Sequence, residues 1–192
     1  MKVLAINASA RKDGNTAILL RTVLEVLQND GIETELIQLA GNHLQGCIAC
    51  MKCFERKNRR CAVDADILNS VLEKMEIADG IILGSPTYFS DVTANMRALI
   101  ERCGYTARAN DYMLKYKVGA GVVAVRRAGA IPAFSSINLF LHYMQMFIPG
   151  ASYWNVGIGR NPGEVLNDAE GLGTMKTLGR NMAWLLKRIA AK

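Results

Sequence analysis

The sequence predicts a doubly wound α/β fold with a five-stranded parallel sheet in the order 2-1-3-4-5. Short apolar runs alternate with segments whose apolar residues recur at helical spacing. The run at residues 80–84 is apolar throughout, which is typical of a strand buried on both faces. In such sheets ligands bind beyond the carboxyl ends of the strands, where strand order reverses between strands 1 and 3. We therefore expect function in the turns after those strands.

Five apolar runs are predicted as strands: Val3 to Ile6, Glu33 to Leu39, Gly80 to Gly84, Val118 to Val125 and Ala151 to Val156. The first helix follows strand 1, with Asn15 or Thr16 as its N-cap and Gly31 as its C-terminal stop. Later segments with helical periodicity lie at residues 66–77, 94–104, 134–147 and 168–190. The last of these helices is expected to close one flank of the sheet.

The 192 residues, of which 51% are hydrophobic, fit one domain spanning 1–192, with a cysteine-rich insertion at about 41–63. The chain shows neither a basic leader nor an apolar run of roughly 18 residues, so we expect a cytoplasmic protein without a membrane partner. The net charge of +6 favours anionic partners. Because no nucleic-acid-binding signature accompanies that charge, we expect phosphorylated nucleotides and no nucleic acid.

The turn after strand 1 carries residues suited to a phosphate: Ser9, Arg11, Gly14, Asn15 and Thr16. Hydroxyl and amide groups beside the free N–H groups of a helix start bind phosphate oxygens, an arginine pairs with the charge, and glycine permits close approach. The turn is neither G-x-G-x-x-G nor a P-loop, which disfavours an ordinary dinucleotide or triphosphate site. The alternative is a capped helix start without a ligand.

The turn after strand 3 carries Pro86, Thr87, Tyr88, Phe89 and Ser90. Two adjacent aromatic residues stiffened by a proline can border a flat ring, while backbone N–H groups bond to the polar edge of that ring. The turn therefore predicts a platform for a planar heterocycle. The alternative is that the two aromatic residues only fill the core at the end of the strand.

The turn after strand 4 reads Arg126, Arg127, Ala128 and Gly129. This arginine pair can stabilise negative charge on a reduced ring or bind the phosphate of a nicotinamide nucleotide, and glycine allows tight approach. The alternative is a solvated surface pair.

Together the segments S-A-R-K-D-G-N-T, S-P-T-Y-F-S-D-V-T-A-N-M-R-A-L-I-E-R and R-R-A-G-A resemble the NAD(P)H-dependent FMN reductases of the flavodoxin-like fold, over nearly the whole chain. The resemblance implies that the first turn binds the ribityl phosphate of FMN through Ser9, Arg11, Asn15 and Thr16. It implies that the isoalloxazine contacts the second and third turns, through Pro86, Thr87, Tyr88, Phe89, Ser90, Arg127, Ala128 and Gly129.

The same resemblance implies an enzyme in which NAD(P)H delivers hydride to bound FMN. Electrons would then pass to a quinone, free flavin, nitroaromatic or metal acceptor. Because the chemistry belongs to the cofactor, no side chain is expected to act as an acid or base, and Tyr88, Phe89 and Arg127 would place and stabilise the ring. The resemblance also implies a homodimer or homotetramer.

Four of the five cysteines form the pattern C-x2-C-x2-C-x7-C at Cys47, Cys50, Cys53 and Cys61. This spacing brings thiolates within reach of one polynuclear centre. It resembles the compact motif of iron–sulfur flavoproteins, which implies a [4Fe–4S] cluster that passes electrons to FMN. The alternatives are packed thiols, a tetrahedral Zn²⁺ site or a redox-active disulfide. With a cluster, the second functional hypothesis is a relay of electrons between partner proteins.

Overall fold

A computed structural model describes residues 1–191 and confirms the predicted class, with five parallel strands in one sheet. The spatial order is β2-β1-β3-β4-β5, which is the predicted flavodoxin-like order. The strands are β1 (Lys2–Asn7), β2 (Glu33–Gln38), β3 (Gly80–Pro86), β4 (Val118–Val125) and β5 (Val156–Ile158).

Helices cover both faces of the sheet. They are α1 (Asn15–Asn29), α2 (Lys52–Arg56), α3 (Leu68–Ile77), α4 (Ala94–Ala109), α5 (Ala130–Tyr143) and α6 (Ala169–Ala190), with a 3₁₀ turn at Glu164–Asn167. Helices α1 and α6 pack into the hydrophobic core on one face, and α3, α4 and α5 pack into the core on the other. Within residues 1–191 no helix combines the length and apolarity that crossing a bilayer requires.

Alternation along the strands explains why their sequences are apolar throughout. In β1, Leu4 and Ile6 face the core under α3 and α4, while Val3 and Ala5 face the core under α1 and α6. Both sets are fully buried. Because successive side chains of a strand point to opposite faces, a sheet covered on both sides needs apolar residues at every position.

Two predicted boundaries are wrong near the end of the sheet. Strand β5 occupies Val156–Ile158 rather than 151–156, because its partners on β4 are Val123–Val125. The predicted helix 134–147 begins four residues earlier, at Ala130, and ends at Tyr143. Its start follows Gly129, whose φ of +84° turns the chain out of β4 and into the helix.

The predicted N-cap of α1 is also wrong. Gly14 occupies the cap position, and no side chain caps the helix. The Asn15 side chain instead accepts a hydrogen bond from the Gly163 N–H at 2.9 Å and donates one to the Asn161 carbonyl at 3.0 Å. The predicted stop at Gly31 is confirmed, since Gly31 has a φ of +77° just after the helix.

Candidate functional site

A cavity of about 290 Å³ opens at the carboxyl edge of the sheet. The turns after β1, β3, β4 and β5 all contribute to its walls. It is lined by Ser9, Arg11, Asn15, Thr16, Pro86, Thr87, Tyr88, Ala124, Arg126, Gly159 and Arg160. The structure therefore brings together predicted residues of the first and second turns at the point where strand order reverses.

One end of this cavity is built to receive an anion. Asn15 and Thr16, the first residues of α1, line the cavity, and no side chain caps the helix, so the positive end of the helix dipole lies at this wall without a side-chain acceptor. Ser9 and Thr16 are buried beside it. The Ser9 hydroxyl accepts a hydrogen bond from the Arg11 N–H at 3.1 Å, and Arg11 Nη1 donates to the Arg160 carbonyl at 3.2 Å. These contacts hold the arginine at the rim.

The other end presents the β3 turn. The Thr87 N–H donates to the Ala124 carbonyl at 2.9 Å, which fixes the turn against β4. The Thr87 Oγ1 atom is buried and has no hydrogen-bond partner among residues 1–191. A buried hydroxyl without a partner is costly, so its position on the cavity wall fits a ligand with a polar edge. The uncapped helix and this hydroxyl both match the phosphate and ring of FMN.

The aromatic residues of this turn are exposed. Tyr88 and Asp91 exchange two backbone hydrogen bonds at 2.9 and 3.0 Å, with Phe89 and Ser90 between them at φ of 48° and 61°. Positive φ at both central residues is the geometry of a type I′ turn. Phe89 is 106% exposed relative to its reference state and Tyr88 is 48% exposed, so neither side chain fills the core.

An acidic residue fastens this turn to the helices behind it. The Asp91 carboxylate accepts hydrogen bonds from Arg97 Nη2 at 2.6 Å and from the Ser136 hydroxyl at 3.1 Å. Partial burial would raise the pKa of Asp91, but hydrogen bonds from the Val92 N–H, Arg97 and Ser136 hold that pKa below its ordinary value. The carboxylate is thus ionised at neutral pH and restrains the turn.

Several predicted site residues lie beside the cavity and do not line it: Gly14, Phe89, Ser90, Arg127, Ala128 and Gly129. Gly14 is the cap of α1, and Arg127 and Ala128 are exposed. A Cβ atom on Gly129 would lie 2.6 Å from Ser90 Oγ, so the turns after β3 and β4 touch there. The cavity wall instead includes Arg126.

Sequence reasoning also missed Gly159 and Arg160. These two residues follow β5 directly, and the Gly159 N–H donates to the Val125 carbonyl at 2.9 Å. The turn after strand 5 could have been predicted as part of the site, because the carboxyl ends of all strands of a parallel sheet meet at one edge. The predicted fifth strand ends at residue 156, two residues before the end of β5, so this turn was not considered.

A second cavity lies in the segment between β2 and α3. All four cysteines of the predicted set, Cys47, Cys50, Cys53 and Cys61, line it as free, half-buried thiols. Its volume is about 20 Å³. Ala49 and Met51 have φ of 51° and 56°, so the backbone between the first three cysteines curls around the cavity.

Charges and burial shape this second cavity. Burial raises the pKa of the Cys53 thiol, and the neighbouring Cys61 and Cys50 raise it further. Arg102, on α4, donates from Nε to Cys61 Sγ at 3.3 Å. Within residues 1–191 no group of three or more His, Cys, Asp and Glu side chains is arranged to hold a metal ion. The four thiols share one cavity without converging on a single ion.

The fifth cysteine is separate from this set. Cys103 is buried in the core, and burial raises the pKa of its thiol to about 12. It is therefore a small apolar core residue and not a nucleophile.

Known proteins are similar to this chain over most of its length. A family model described as NADPH-dependent FMN reductase matches residues 1–161. An iron-sulfur flavoprotein of Methanocaldococcus jannaschii, MJ1083, is 38% identical and covers 98% of this chain and 99% of its own length. An iron-sulfur flavoprotein of Methanosarcina thermophila is 32% identical, with coverages of 98% and 97%.

The fold is shared with more distant proteins. The solved structure of a WrbA-like flavodoxin from Agrobacterium tumefaciens superposes with a TM-score of 0.66 at 13% identity, over 97% of each chain. This chain is a flavoprotein oxidoreductase of flavodoxin-like fold, and it belongs to the NADPH-dependent FMN reductase family.

Proposed function

We propose that this flavoprotein binds FMN at the carboxyl edge of its sheet and a [4Fe–4S] cluster at Cys47, Cys50, Cys53 and Cys61, and that it exchanges electrons between the two. The observation that carries the proposal is the convergence of all four thiols of one loop on one cavity. The names of the two relatives support it. Four cysteine thiolates are the usual ligand set of such a cluster.

The chain's role toward FMN is placement. The N-terminal N–H groups of α1, with Ser9, Thr16 and Arg11, would hold the phosphate. The unpartnered hydroxyl of Thr87 would bond to the polar edge of the ring, beside Arg126. FMN, when bound, supplies both one-electron and two-electron exchange. Five predicted site residues do not line the cavity, so their roles require contact with the part of the ring that lies outside it. They are Phe89, Ser90, Arg127, Ala128 and Gly129.

The cysteine cavity fits a cluster by donor chemistry. A mononuclear zinc site places every sulfur about 2.3 Å from one point. In a polynuclear centre each thiolate binds a different iron, which matches thiols spread around a cavity wall. The cavity has room for about one water molecule. Because a four-iron cluster is larger than this space, the cysteine loop would move outward to hold it. Ile48 and Met51 of that loop are exposed, so no other part of the described chain packs over them.

A second candidate function is direct reduction of FMN by NAD(P)H, followed by electron transfer to a quinone, flavin or other small acceptor. The exposed Tyr88 and Phe89 favour it, because they leave an open aromatic rim beside the cavity. The exposed Arg126 and Arg127 supply positive charge at that rim for a nucleotide phosphate. The family's description supports the same donor.

Anaerobic reduction distinguishes the two candidates. We expect a one-electron iron–sulfur protein donor to bleach the flavin of the wild type, and Cys53→Ser to slow that bleaching while leaving photochemical reduction of FMN intact. Rapid bleaching by NADPH or NADH, equal in the wild type and in Cys53→Ser, would support the reductase and contradict the relay.

A further inference from the structure

One face of α4 borders the cysteine cavity with two polar residues. Arg102 and Thr106 lie one helical turn apart, both line the cavity, and each is 1% exposed. The remaining wall is mostly apolar or cysteine. Burying a guanidinium and a hydroxyl against such a wall is unfavourable unless each has a partner. Arg102 has such partners within the chain, whereas the Thr106 hydroxyl has none in the described residues 1–191, so a group held in the cavity is needed to satisfy Thr106.

Arg102 is held in one orientation by three groups. Its Nη1 donates to the Asp66 carboxylate and to the Gln45 carbonyl at 3.1 Å, and its Nη2 donates to the Val63 carbonyl at 2.6 Å. These contacts leave Nε–H directed at Cys61 Sγ, 3.3 Å away. The charge of Arg102 is permanent. The guanidinium is thus a fixed cation whose Nε–H donates to a cysteine sulfur.

The Thr106 hydroxyl lacks the backbone hydrogen bond that a threonine in a helix ordinarily makes. Such hydroxyls commonly donate to the carbonyl four residues earlier, as Thr177 does to Gly173 at 3.0 Å in α6. The Thr106 Oγ1 atom is buried and has no hydrogen-bond partner in the described residues 1–191. Because it lines the cysteine cavity, its free donor is available to a sulfur atom bound there.

We propose that Arg102 and Thr106 set the reduction potential of the cluster by donating N–H and O–H hydrogen bonds to its sulfur atoms. This inference rests on the proposed function. On reduction, one electron from dithionite enters the cysteine-bound cluster, no bond is formed or broken, and one negative charge is added. Hydrogen bonds to sulfur and a nearby cation stabilise the more negative form, so they raise the potential.

The test is an anaerobic dithionite titration of the holoprotein, followed by electron paramagnetic resonance. Thr106→Val keeps the shape of the side chain and removes only the donor. We expect it to lower the ratio of reduced to oxidised cluster about tenfold at a fixed potential, a shift of about 59 mV for one electron. Thr106→Ser should restore the wild-type ratio, and Thr177→Val in α6 is the matched control.

Arg102→Lys keeps the charge and removes the planar donor, so it should also lower the ratio. Loss of the buried contacts to Asp66 can unfold that variant, so Thr106→Val decides the outcome. Iron and sulfide assays distinguish failure of this inference from failure of the proposed cluster. Full iron content with unchanged potentials in Thr106→Val would overturn this inference alone. A wild type purified anaerobically without iron would overturn both this inference and the proposed cluster.

Discussion

At the residue scale, the site depends on a few buried polar groups whose partners are identifiable. Thr87 has a hydroxyl without a partner within residues 1–191, and it lies on the wall of the sheet-edge cavity that we propose binds FMN. Arg102 and Asp66 form an ion pair whose side chains are 0% and 8% exposed. The Thr87 hydroxyl is available to a ligand. The Arg102–Asp66 pair is satisfied within the chain and forms part of the wall behind the cysteines.

Thr87→Val is expected to weaken FMN binding up to about tenfold, which corresponds to one hydrogen bond of roughly 0.5–1.5 kcal/mol. The free energy of unfolding without FMN should stay the same or rise, because the variant removes an unsatisfied buried group. Calorimetric titration of flavin-free protein with FMN measures the first quantity. Affinity equal to that of the wild type would exclude a ring contact by this hydroxyl.

Asp66→Asn is expected to lower the free energy of unfolding at pH 7 by about 3–5 kcal/mol, because it leaves the Arg102 charge buried and unpaired. Burial would raise the pKa of Asp66, but hydrogen bonds from Arg102, the Leu68 N–H and the Gln45 N–H hold it below its ordinary value. Denaturant unfolding of wild type and variant gives the difference.

Since the folded-state pKa of Asp66 is lowered, its contribution is complete above the ordinary value of about 3.9 and is lost as the pH falls through the lowered pKa. The stability gap between wild type and Asp66→Asn should therefore narrow only in acid below about pH 4. A gap that closes already between pH 7 and pH 5 would contradict this assignment.

At the element scale, strands were predictable from sequence where burial dominates. The apolar residues of β1, β3 and β4 are divided between two cores on opposite faces of the sheet, so apolar runs indicate these strands. In β5 the run 151–156 includes Tyr153 and Trp154, which are half exposed and precede the strand. Hydrophobicity alone does not distinguish a buried strand from an exposed aromatic pair, and β5 is only three residues long.

Contacts between loops were less predictable than the elements that carry them. Gly14 is the N-cap of α1, and the Asn15 side chain instead forms hydrogen bonds with residues 161–165, which lie 146 to 150 residues later in the chain. Arg102 and Thr106 gave no local signal, because they meet the cysteines only through the packing of α4 on the insertion. By contrast, the spacing of the four cysteines in the sequence was enough to predict that they lie together.

Gly129→Ala tests the contact between the turns after β3 and β4. We expect weaker retention of FMN, because the new Cβ would meet Ser90 Oγ at 2.6 Å and push the aromatic turn away. Gly31→Ala is the matched control, since Gly31 has a similar φ of +77° but open space around its Cβ position. Both variants should lose roughly 1 kcal/mol of stability from backbone strain.

Flavin release during dialysis, measured by fluorescence, should therefore separate the two variants. Equal retention by Gly129→Ala and Gly31→Ala would show that this contact between turns has no part in holding the cofactor.

At the scale of the whole molecule, one sheet edge holds the cavity proposed for FMN, and the insertion that packs on α4 holds the four cysteines. The interpretation of residues 1–192 as one domain stays a prediction, as does the homodimer or homotetramer. The exposed side chains of Leu139 and Tyr143, which line one open cavity between α4 and α5, supply an apolar surface suited to a second copy.

Leu139→Glu is expected to shift the protein from a dimer or tetramer toward the monomer, because Leu139 is 69% exposed on that surface and the variant places a charge there. Sedimentation equilibrium measures the mass. Leu166→Glu, at a comparably exposed leucine in the 3₁₀ turn, is the control and should keep the wild-type mass. A wild type that sediments as a monomer would contradict the predicted oligomer.

The cofactor content of anaerobically purified protein shows directly whether one chain holds both FMN and a cluster. Flavin, iron and acid-labile sulfide are measured on the wild type and on Cys53→Ser. We expect about one FMN and about four iron atoms per chain in the wild type, with loss of iron and retention of FMN in the variant. Wild-type protein that carries FMN without iron would contradict the role assigned to the cysteines, and protein that takes up no FMN would contradict the site at the sheet edge.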